Sequence, residues 1–161
     1  MSLEIVNNPI FVTLQDKGRY GYSYIGVTNS GVMDEYAYLV ANKMLGNPLD
    51  TNILEIAFSN VIFKANASTV ISITGAVCEF FINDIAKNCW QTHNIQKDDI
   101  IKIGKILNGN RVYLGVFGGF NIEKEFGSNS TTIKENLGGI NGDKLKKGDI
   151  LPFKEHLISH N

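Results

Sequence analysis

Most of the chain consists of short blocks in which apolar and polar residues alternate, as in half-buried β-strands. In the block 10–15, Ile10, Val12 and Leu14 point to one face and Thr13 and Gln15 to the other. Comparable blocks at 3–6, 53–58, 69–74, 77–82, 100–103 and 111–117 are each bounded by Gly, Asn or Asp. This pattern predicts a mainly β protein.

A single segment, about 33–45, has helical spacing of its apolar residues instead. Ser30 is the predicted N-cap of this helix, and Gly46 with Pro48 behind it predicts the C-terminal end. A second, short helical turn is predicted at 122–126. Because strands outnumber helices so strongly, the fold class is predicted to be a β-barrel or sandwich and not a doubly wound α/β fold.

Length and charge narrow the class of protein further. The 161 residues, 43% of them hydrophobic, predict a single domain over 1–152 followed by a tail at 153–161. The formal net charge of −1 predicts no nucleic-acid partner and no attraction to anionic membranes. The sequence shows no apolar run long enough to span a bilayer and no signal peptide, which predicts a cytoplasmic protein.

The two cysteines, Cys78 and Cys89, are 11 positions apart and could form a disulfide. Without an export signal they are predicted to be reduced, mostly buried thiols. His93, His156 and His160 are not spaced with them as metal ligands, so no metal site is predicted. The sequence also lacks a phosphate-binding P-loop and a G-x-S-x-G nucleophile elbow.

Polar or glycine-rich stretches at 15–19, 29–34, 118–120 and 127–132 are the candidates for chemistry. Arg19 and Asp16 could be a simple ion pair, Ser30 a helix cap, and 128–132 a polar loop. Alternatively, the same groups could form a substrate cleft or a buried structural network. The residues alone leave these alternatives open.

In order along the chain, these stretches resemble the biotin-dependent carboxyltransferase-like family, which includes the C subunit of 5-oxoprolinase, also called allophanate hydrolase subunit 2. The same unit occurs inside urea amidolyase and urea carboxylase. The matching segments cover nearly the whole chain: VTLQDKGRYGY from 12, SGVMD from 30, ANKMLGN from 41, LE at 54, TGA from 74, GNRVYLGVFGG from 109, FGSNST from 126, and GG at 138 through GD at 148.

The resemblance implies a cyclophilin-like β-barrel corresponding to the N-terminal half of the family protein, which is about twice as long. It further implies a component of an ATP-dependent complex that opens 5-oxoproline, a cyclic amide, to glutamate. Its partners would be proteins like the A and B subunits of 5-oxoprolinase. ATP is expected at the level of the complex, and this chain alone is expected to bind no cofactor.

Candidate roles follow from the resemblance and the polar stretches together. The predicted catalytic residues are Asp16, Arg19 and Glu55: Arg19 would bind a substrate carboxylate, and Asp16 or Glu55 would handle a proton or hold Arg19. The predicted residues for binding a small amide or lactam are Gln15, Ser30, Asp34, Gly118, Gly119, Ser128, Ser130 and Thr131.

Three positions depart from the family pattern: Asn129 and Asp143 replace a common Arg, and Asp84 replaces a common Gly. Loss of two cations is expected to weaken anion binding. A first alternative is therefore a non-catalytic or regulatory module that binds a kinase-inhibitor-like B subunit, or a second copy of itself as a homo-oligomer. A second alternative is a carboxyltransferase component that processes urea or allophanate, with biotin supplied by another chain.

Overall fold

The structure is a computed structural model that describes residues 1–58 and 60–156. Within these residues the chain forms nine strands, one α-helix and a short 3-10 turn at Ser23–Ile25. In chain order the elements are β1 (Ser2–Ile5), β2 (Phe11–Gln15), α1 (Glu35–Leu45), β3 (Ile53–Ala57), β4 (Val61–Ala65), β5 (Thr69–Ile82), β6 (Ile85–Ala86), β7 (Gln91–Ile95), β8 (Ile100–Val116) and β9 (Ile150–Pro152). The predicted mainly β, barrel-like fold with one helix is confirmed.

The strands form one antiparallel sheet in the order β2-β3-β8-β4-β1-β9, and β5 pairs with β6, β7 and β8. The long strand β8 pairs with β4 along 100–103 and with β3 along 112–114. Because its two ends have different neighbours, the sheet curls into a half-barrel.

Strands β5 and β8 are each continuous where the sequence predicted two shorter strands. The predicted break in β5 coincides with Gly75, whose φ is +97°, and with shifts in register between Gly75 and Phe80. Such β-bulges bend a strand without ending it. The bends next to Gly75 form one wall of a cleft described below.

The main core is formed by buried apolar residues from every strand except β6. Alternate residues of β4 show the pattern, since Val61, Phe63 and Ala65 are buried while Ile62 and Lys64 are only partly so. A smaller apolar cluster lies between α1 and the sheet, and its members are Ala37, Tyr38, Ala41, Ile53 and Tyr113. Burial of this helix face stabilises α1 more than helix propensity does.

Helix α1 begins later than predicted, and the predicted N-cap at Ser30 is wrong. Asp34 is the N-cap, and its Oδ1 accepts a hydrogen bond of 3.0 Å from the amide of Ala37. Ser30 instead has a left-handed backbone, with φ +55°, and Met33 is 72% exposed. The predicted end at Gly46 is confirmed, since its amide donates to carbonyls in the last turn.

The second helical turn predicted at 122–126 is wrong. This segment contains no helix, and the carbonyl oxygens of Ile122 and Glu123 accept hydrogen bonds from the side-chain amide of Asn129. His93, predicted in a turn, lies within β7.

The predicted boundary between domain and tail after residue 152 stays a prediction. Phe153 is 3% exposed and forms a β-bridge with Phe120, and the amide of His156 donates to the carbonyl of Ser68. His160 lies outside the described residues. In the part of the chain that the structure describes, no helix has the length and apolar character needed to cross a membrane.

Candidate functional site

The predicted site residues lie at three separate places in the fold. The largest group is a buried cluster where the end of β2 meets the loop 127–132. We call it the Arg19 network, and its members are Gln15, Asp16, Arg19, Ser30, Ser128, Ser130, Thr131 and Thr132. Two nearby segments, 15–19 and Ser30, therefore meet a loop that lies about a hundred residues further along the chain.

Asp16 is the acceptor at the centre of the Arg19 network and is only 4% exposed. Its Oδ1 accepts from the hydroxyls of Ser128 and Ser130 at 2.6 and 2.7 Å and from the amide of Gly18 at 2.9 Å. Its Oδ2 accepts from the amide of Asn129 at 2.8 Å. These hydrogen bonds offset the free-energy cost of burying the carboxylate. Through them, Asp16 joins β2 to the loop 127–132.

Arg19 is the donor of the network and is 1% exposed. Its Nη1 donates to Thr132 Oγ1 at 2.7 Å, and its Nη2 donates to the carbonyls of Ser130 and Ser128 at 2.7 and 3.3 Å. Its Nε donates to the carbonyl of Glu125 at 3.1 Å. Burial lowers the pKa of Arg19, and nearby carboxylates, Asp16 first, act in the opposite direction. The guanidinium is occupied by protein oxygens.

Smaller polar side chains complete the network. Ser30 Oγ accepts from Thr132 Oγ1 at 2.7 Å, and Thr131 Oγ1 donates to the carbonyl of Leu14 at 2.9 Å. Gln15 Nε2 donates to Thr13 Oγ1 and to the carbonyl of Thr131. The sequence left open whether these groups form a substrate cleft or a buried structural network. The geometry has the form of a buried structural network. The roles assigned to these residues in substrate binding and catalysis stay predictions.

Gly118 and Gly119 lie at a second place, in the turn after β8. The side chain of Asn47 accepts from the amide of Gly118 at 2.8 Å, and a Cβ on Gly119 would overlap the side chain of Thr51. Gly119 therefore allows close approach of two chain segments. The turn borders a shallow depression with Phe120, Phe153 and Lys154.

Asp34 and Glu55 lie at the third place, between the sheet and the start of α1. Glu55, on β3, is 5% exposed, and its Oε2 accepts from the Tyr113 hydroxyl at 2.7 Å and from the amide of Met33 at 2.9 Å. The Tyr113 oxygen in turn accepts from the amide of Asp34 at 2.9 Å. Burial, with a contribution from Glu55, raises the pKa of Tyr113, so its hydroxyl remains a donor at neutral pH.

Arg111 connects this cluster to a cleft of about 510 Å³, which we call the Arg111 cleft. Its Nε lies 3.7 Å from Glu55 Oε1 and has no hydrogen-bond partner among residues 1–58 and 60–156. One of the predicted roles of Glu55 was to hold Arg19, whereas its ion-pair partner in the structure is Arg111. The cleft is lined by Met33, Asp34 and the segments 75–77 and 108–111.

The Arg111 cleft combines groups suited to a small polar ligand. Arg111 supplies a cation, Asp34 a carboxylate whose Oδ2 has no hydrogen bond to the described residues, and Asn108 and Asn110 supply amide groups. A guanidinium binds carboxylates well because it presents parallel N–H groups. A molecule that carries a carboxylate and an amide matches this set of groups.

A third depression, of about 390 Å³, lies between the Arg19 network and α1. Lys17 and Ser30 line it on one side, and Tyr38 and Leu39 on the other. Tyr38 is 1% exposed, and its hydroxyl has no hydrogen-bond partner in the described part of the chain.

The three residues that depart from the family pattern do not line the Arg111 cleft. Asn129 is buried; its Oδ1 accepts a hydrogen bond from the side-chain amide of Asn52, and its Nδ2 donates to backbone carbonyls. Asp84 has φ +64° in the turn between β5 and β6, where glycine is favoured. Asp143 is exposed and accepts from the amide of Lys144.

Comparison with known proteins defines the class. The family model of the carboxyltransferase domain, subdomain A and B, matches residues 25–160, and the chain belongs to this family. It is 37% identical over 153 residues to urea amidolyase of Saccharomyces cerevisiae, covering 93% of this chain and 8% of that protein. It is 31% identical over 151 residues to the 5-oxoprolinase C subunit of Escherichia coli, covering 94% of this chain and 49% of that protein.

Solved structures agree with the sequence relatives. The crystal structure of the K. lactis urea amidolyase superposes with a TM-score of 0.91 at 34% identity, over 94% of this chain and 9% of that one. The chain thus spans about half the length of the 5-oxoprolinase relative and under a tenth of the urea amidolyases. The family resemblance inferred from the motifs is confirmed.

Three of the motif segments that carry the resemblance meet at the Arg111 cleft: 30–34, 74–76 and 109–119. The sequence-based set of site residues contains Asp34 and Glu55 from this region but omits Arg111 and Tyr113. The motif 109–119 contains both residues and could have indicated them, but only Gly118 and Gly119 were predicted from it as site residues. This convergence makes the Arg111 cleft the candidate functional site.

Proposed function

We propose that the chain is the equivalent of the N-terminal half of the 5-oxoprolinase C subunit, in an ATP-dependent complex that opens 5-oxoproline to glutamate. The partners in this proposal are proteins like the A and B subunits of 5-oxoprolinase, and ATP binds at the level of the complex. Two relatives named as this C subunit, of which the chain covers 49% and 51%, support the proposal.

The observation that carries the proposal is that one cation, Arg111, and one carboxylate, Asp34, line the same cleft. 5-Oxoproline has a carboxylate, a lactam N–H and a lactam carbonyl. Arg111 would bind the carboxylate, Asp34 would accept from the N–H, and the amides of Asn108 and Asn110 would reach the carbonyl. The volume of about 510 Å³ falls within the range of about 300–1,000 Å³ typical of small-molecule sites.

Glu55 would position Arg111, because its Oε1 lies 3.7 Å from Arg111 Nε while its other oxygen is held by Tyr113 and Met33. Asp16 and Arg19 would contribute at a distance by holding the loop 127–132 against β2. Of the predicted catalytic residues, Glu55 is therefore the one that we place nearest to the ligand.

The test is coexpression with the neighbouring A-type and B-type proteins and assay of ADP release with 5-oxoproline. Arg111→Gln should lower this activity at least about tenfold, mainly through a higher KM, because a charge-assisted hydrogen bond contributes about 1.5–3 kcal/mol. Lys147→Gln removes one positive charge from an exposed turn and is the matched control. A complex without 5-oxoproline-dependent turnover would rule the proposal out.

A second candidate function is a component of urea processing, favoured by the 37% identity to urea amidolyase. Urea has an amide but no carboxylate, so Arg111 would then face a carboxyl group delivered on biotin by another chain. Dependence of turnover on urea and a biotinylated carrier, with no response to 5-oxoproline, would select this candidate.

A third candidate is a non-catalytic interaction module. Met33 and Val77, which line the Arg111 cleft, are exposed apolar side chains, and so are Tyr36 and Trp90. Apolar surface of this kind often marks protein interfaces. Stable binding to the B-type protein without any turnover of the complex would favour this candidate.

A further inference from the structure

Two thiols face one another next to the candidate site. Cys78 lies on β5 and Cys89 lies between β6 and β7, and their Sγ atoms are 3.6 Å apart. Neither takes part in a disulfide in this structure. Their predicted reduced state stays a prediction. Cys78 is 9% exposed and Cys89 is half-buried, so a small solute reaches Cys89 more easily.

The mutual hydrogen bond makes the two thiols chemically different. The hydrogen bond from Cys78 lowers the pKa of Cys89 to about 7, while burial acts in the opposite direction. The same hydrogen bond, and then burial, raise the pKa of Cys78. Near neutral pH, Cys89 is therefore the more nucleophilic sulfur, because the thiolate is the reactive form.

Cys89 is followed directly by Trp90, the single tryptophan of the chain. Trp90 has a left-handed backbone, with φ +58°, and its amide donates to the carbonyl of Ile73 at 2.6 Å. Its indole Nε1 donates to the carbonyl of Gly75 at 3.2 Å, and its ring lies 6.1 Å from that of Tyr36 on α1. Gly75 lines the Arg111 cleft, so Trp90 links the thiol pair to the cleft wall.

We propose that Cys78 and Cys89 are an oxidative modification site, at which a peroxide converts the two thiols into a reversible intramolecular disulfide. The Cys89 thiolate attacks one peroxide oxygen, the O–O bond breaks, and a sulfenic acid and hydroxide, or the corresponding alkoxide, form. The Cys78 sulfur then displaces the sulfenic hydroxyl, the S–S bond forms, and water leaves. The peroxide is reduced by two electrons and the two thiols are oxidised by two.

The structure favours an intramolecular product over a mixed disulfide. The two sulfurs already lie 3.6 Å apart and must close to about 2.05 Å to form the bond. Cys78 is buried directly beside the sulfur that reacts first, so it intercepts the sulfenic acid before a bulky external thiol does.

Bond formation moves the Cys89 sulfur and with it the backbone that leads into Trp90. The contacts of Trp90 with Gly75 and Tyr36 then change, and so does the wall of the Arg111 cleft. This second step, redox control of the cleft, rests on the proposed function, whereas disulfide formation does not.

The experiment treats the reduced, folded chain with one to two equivalents of hydrogen peroxide near neutral pH. Intact mass should fall by about two mass units, for loss of two hydrogens, and both thiols should become resistant to alkylation. The fluorescence of Trp90 should change in parallel and return after dithiothreitol. The circular dichroism spectrum should not change during the reaction. A constant spectrum would show that the protein reacts in its folded state.

Cys78→Ser and Cys89→Ser are the matched controls. Cys78→Ser should stop at the sulfenic acid or react with external thiol, and Cys89→Ser should react at least about tenfold more slowly, since it lacks the reactive thiolate. Disulfide formation only after unfolding, or equal peroxide reactivity of the two variants, would overturn the proposal. If a variant folds poorly, alkylation of the wild-type protein before and after peroxide treatment still shows whether the disulfide forms in the folded chain.

The coexpressed complex separates the two steps. Oxidation is expected to lower 5-oxoproline-dependent ADP release at least about threefold, with recovery after dithiothreitol and, over the same exposure time, no effect on Cys89→Ser, which lacks the reactive thiolate. Turnover that is unchanged after complete disulfide formation would overturn control of the cleft. Absence of turnover in the reduced complex would instead contradict the proposed function and leave the disulfide result standing.

Discussion

Glu55 and Tyr113 are direct cross-strand partners on β3 and β8, and their side chains share a hydrogen bond of 2.7 Å. Through the same two side chains, the sheet holds the amides of Met33 and Asp34 at the start of α1. The segment 33–34 lines the Arg111 cleft, so one pair of sheet residues sets the position of a cleft wall.

Tyr113→Phe should therefore destabilise the fold and disturb the cleft together. The substitution leaves the amide of Asp34 without an acceptor and removes a donor from Glu55, which is expected to cost about 1–3 kcal/mol. Urea unfolding at neutral pH measures the loss. Tyr24→Phe, at a residue that is 81% exposed, is the control and should leave the midpoint unchanged. Equal midpoints for both variants would show that the Glu55–Tyr113 bond contributes little.

Arg19→Lys tests whether the Arg19 network stabilises the fold. A lysine retains the charge but cannot place donors on Thr132, Ser130 and the carbonyl of Glu125 at once, because it lacks the planar fork of a guanidinium. We expect a loss of about 3–5 kcal/mol in the free energy of unfolding, measured by urea unfolding at neutral pH.

The control for this prediction is the same chemical change at Arg111, which donates to one carbonyl oxygen and lies 3.7 Å from Glu55, a contact between charges that a lysine can also make. Arg111→Lys should cost less than about 1 kcal/mol. If Arg19→Lys were as stable as wild type while the complex lost activity, the predicted role of Arg19 in substrate binding would be supported instead.

The strands and the helix were predictable because each is set by local periodicity. The alternation in 10–15 and the helical spacing ending at Gly46 need no tertiary information. The joining of two predicted strands into β5, in contrast, could be seen only in the tertiary structure. Gly75 pairs with the neighbouring strand and is followed by a bulge, and local sequence cannot distinguish a bulge from a break.

The site was harder to predict because burial is a tertiary property. The polar stretch 15–19 has the composition of a surface loop, yet Asp16 and Arg19 are buried by a loop more than a hundred residues further along the chain. Arg111 and Tyr113 lie within an ordinary strand pattern. Their importance appears only when β3 places Glu55 beside them.

Gly138→Ala should be more destabilising than an alanine at another left-handed glycine. Gly138 has φ +71°, and a Cβ there would overlap the carbonyl of Ser130 and lie 2.8 Å from Arg19 Nη2. Gly148 has φ +90°, and no atom lies within 4 Å of the position that its Cβ would take, so Gly148→Ala reports the backbone strain alone, about 1–2 kcal/mol. The expected additional loss for Gly138→Ala is at least about 2 kcal/mol in urea unfolding. Similar losses would contradict close packing against Arg19.

Tyr38→Phe should leave stability at neutral pH unchanged or raise it by up to about 1 kcal/mol, because the buried hydroxyl has no partner among the described residues. Burial, and then the Asp16 and Asp50 carboxylates, raise the pKa of Tyr38, while the nearby backbone of Lys17 acts in the opposite direction. Above about pH 10 the unfolded chain releases a phenolic proton that the folded chain retains, so wild-type stability falls as pH rises.

This alkaline loss should be smaller in Tyr38→Phe, by up to about 1.4 kcal/mol per pH unit, since the variant lacks that proton. Urea unfolding at neutral pH and between about pH 10 and 11 measures both effects. Tyr113→Phe is the matched control: it removes a phenol whose pKa is also raised, yet it should lose stability at neutral pH because its hydroxyl is bonded. A neutral-pH loss above about 1 kcal/mol for Tyr38→Phe would show that its hydroxyl has a stabilising partner.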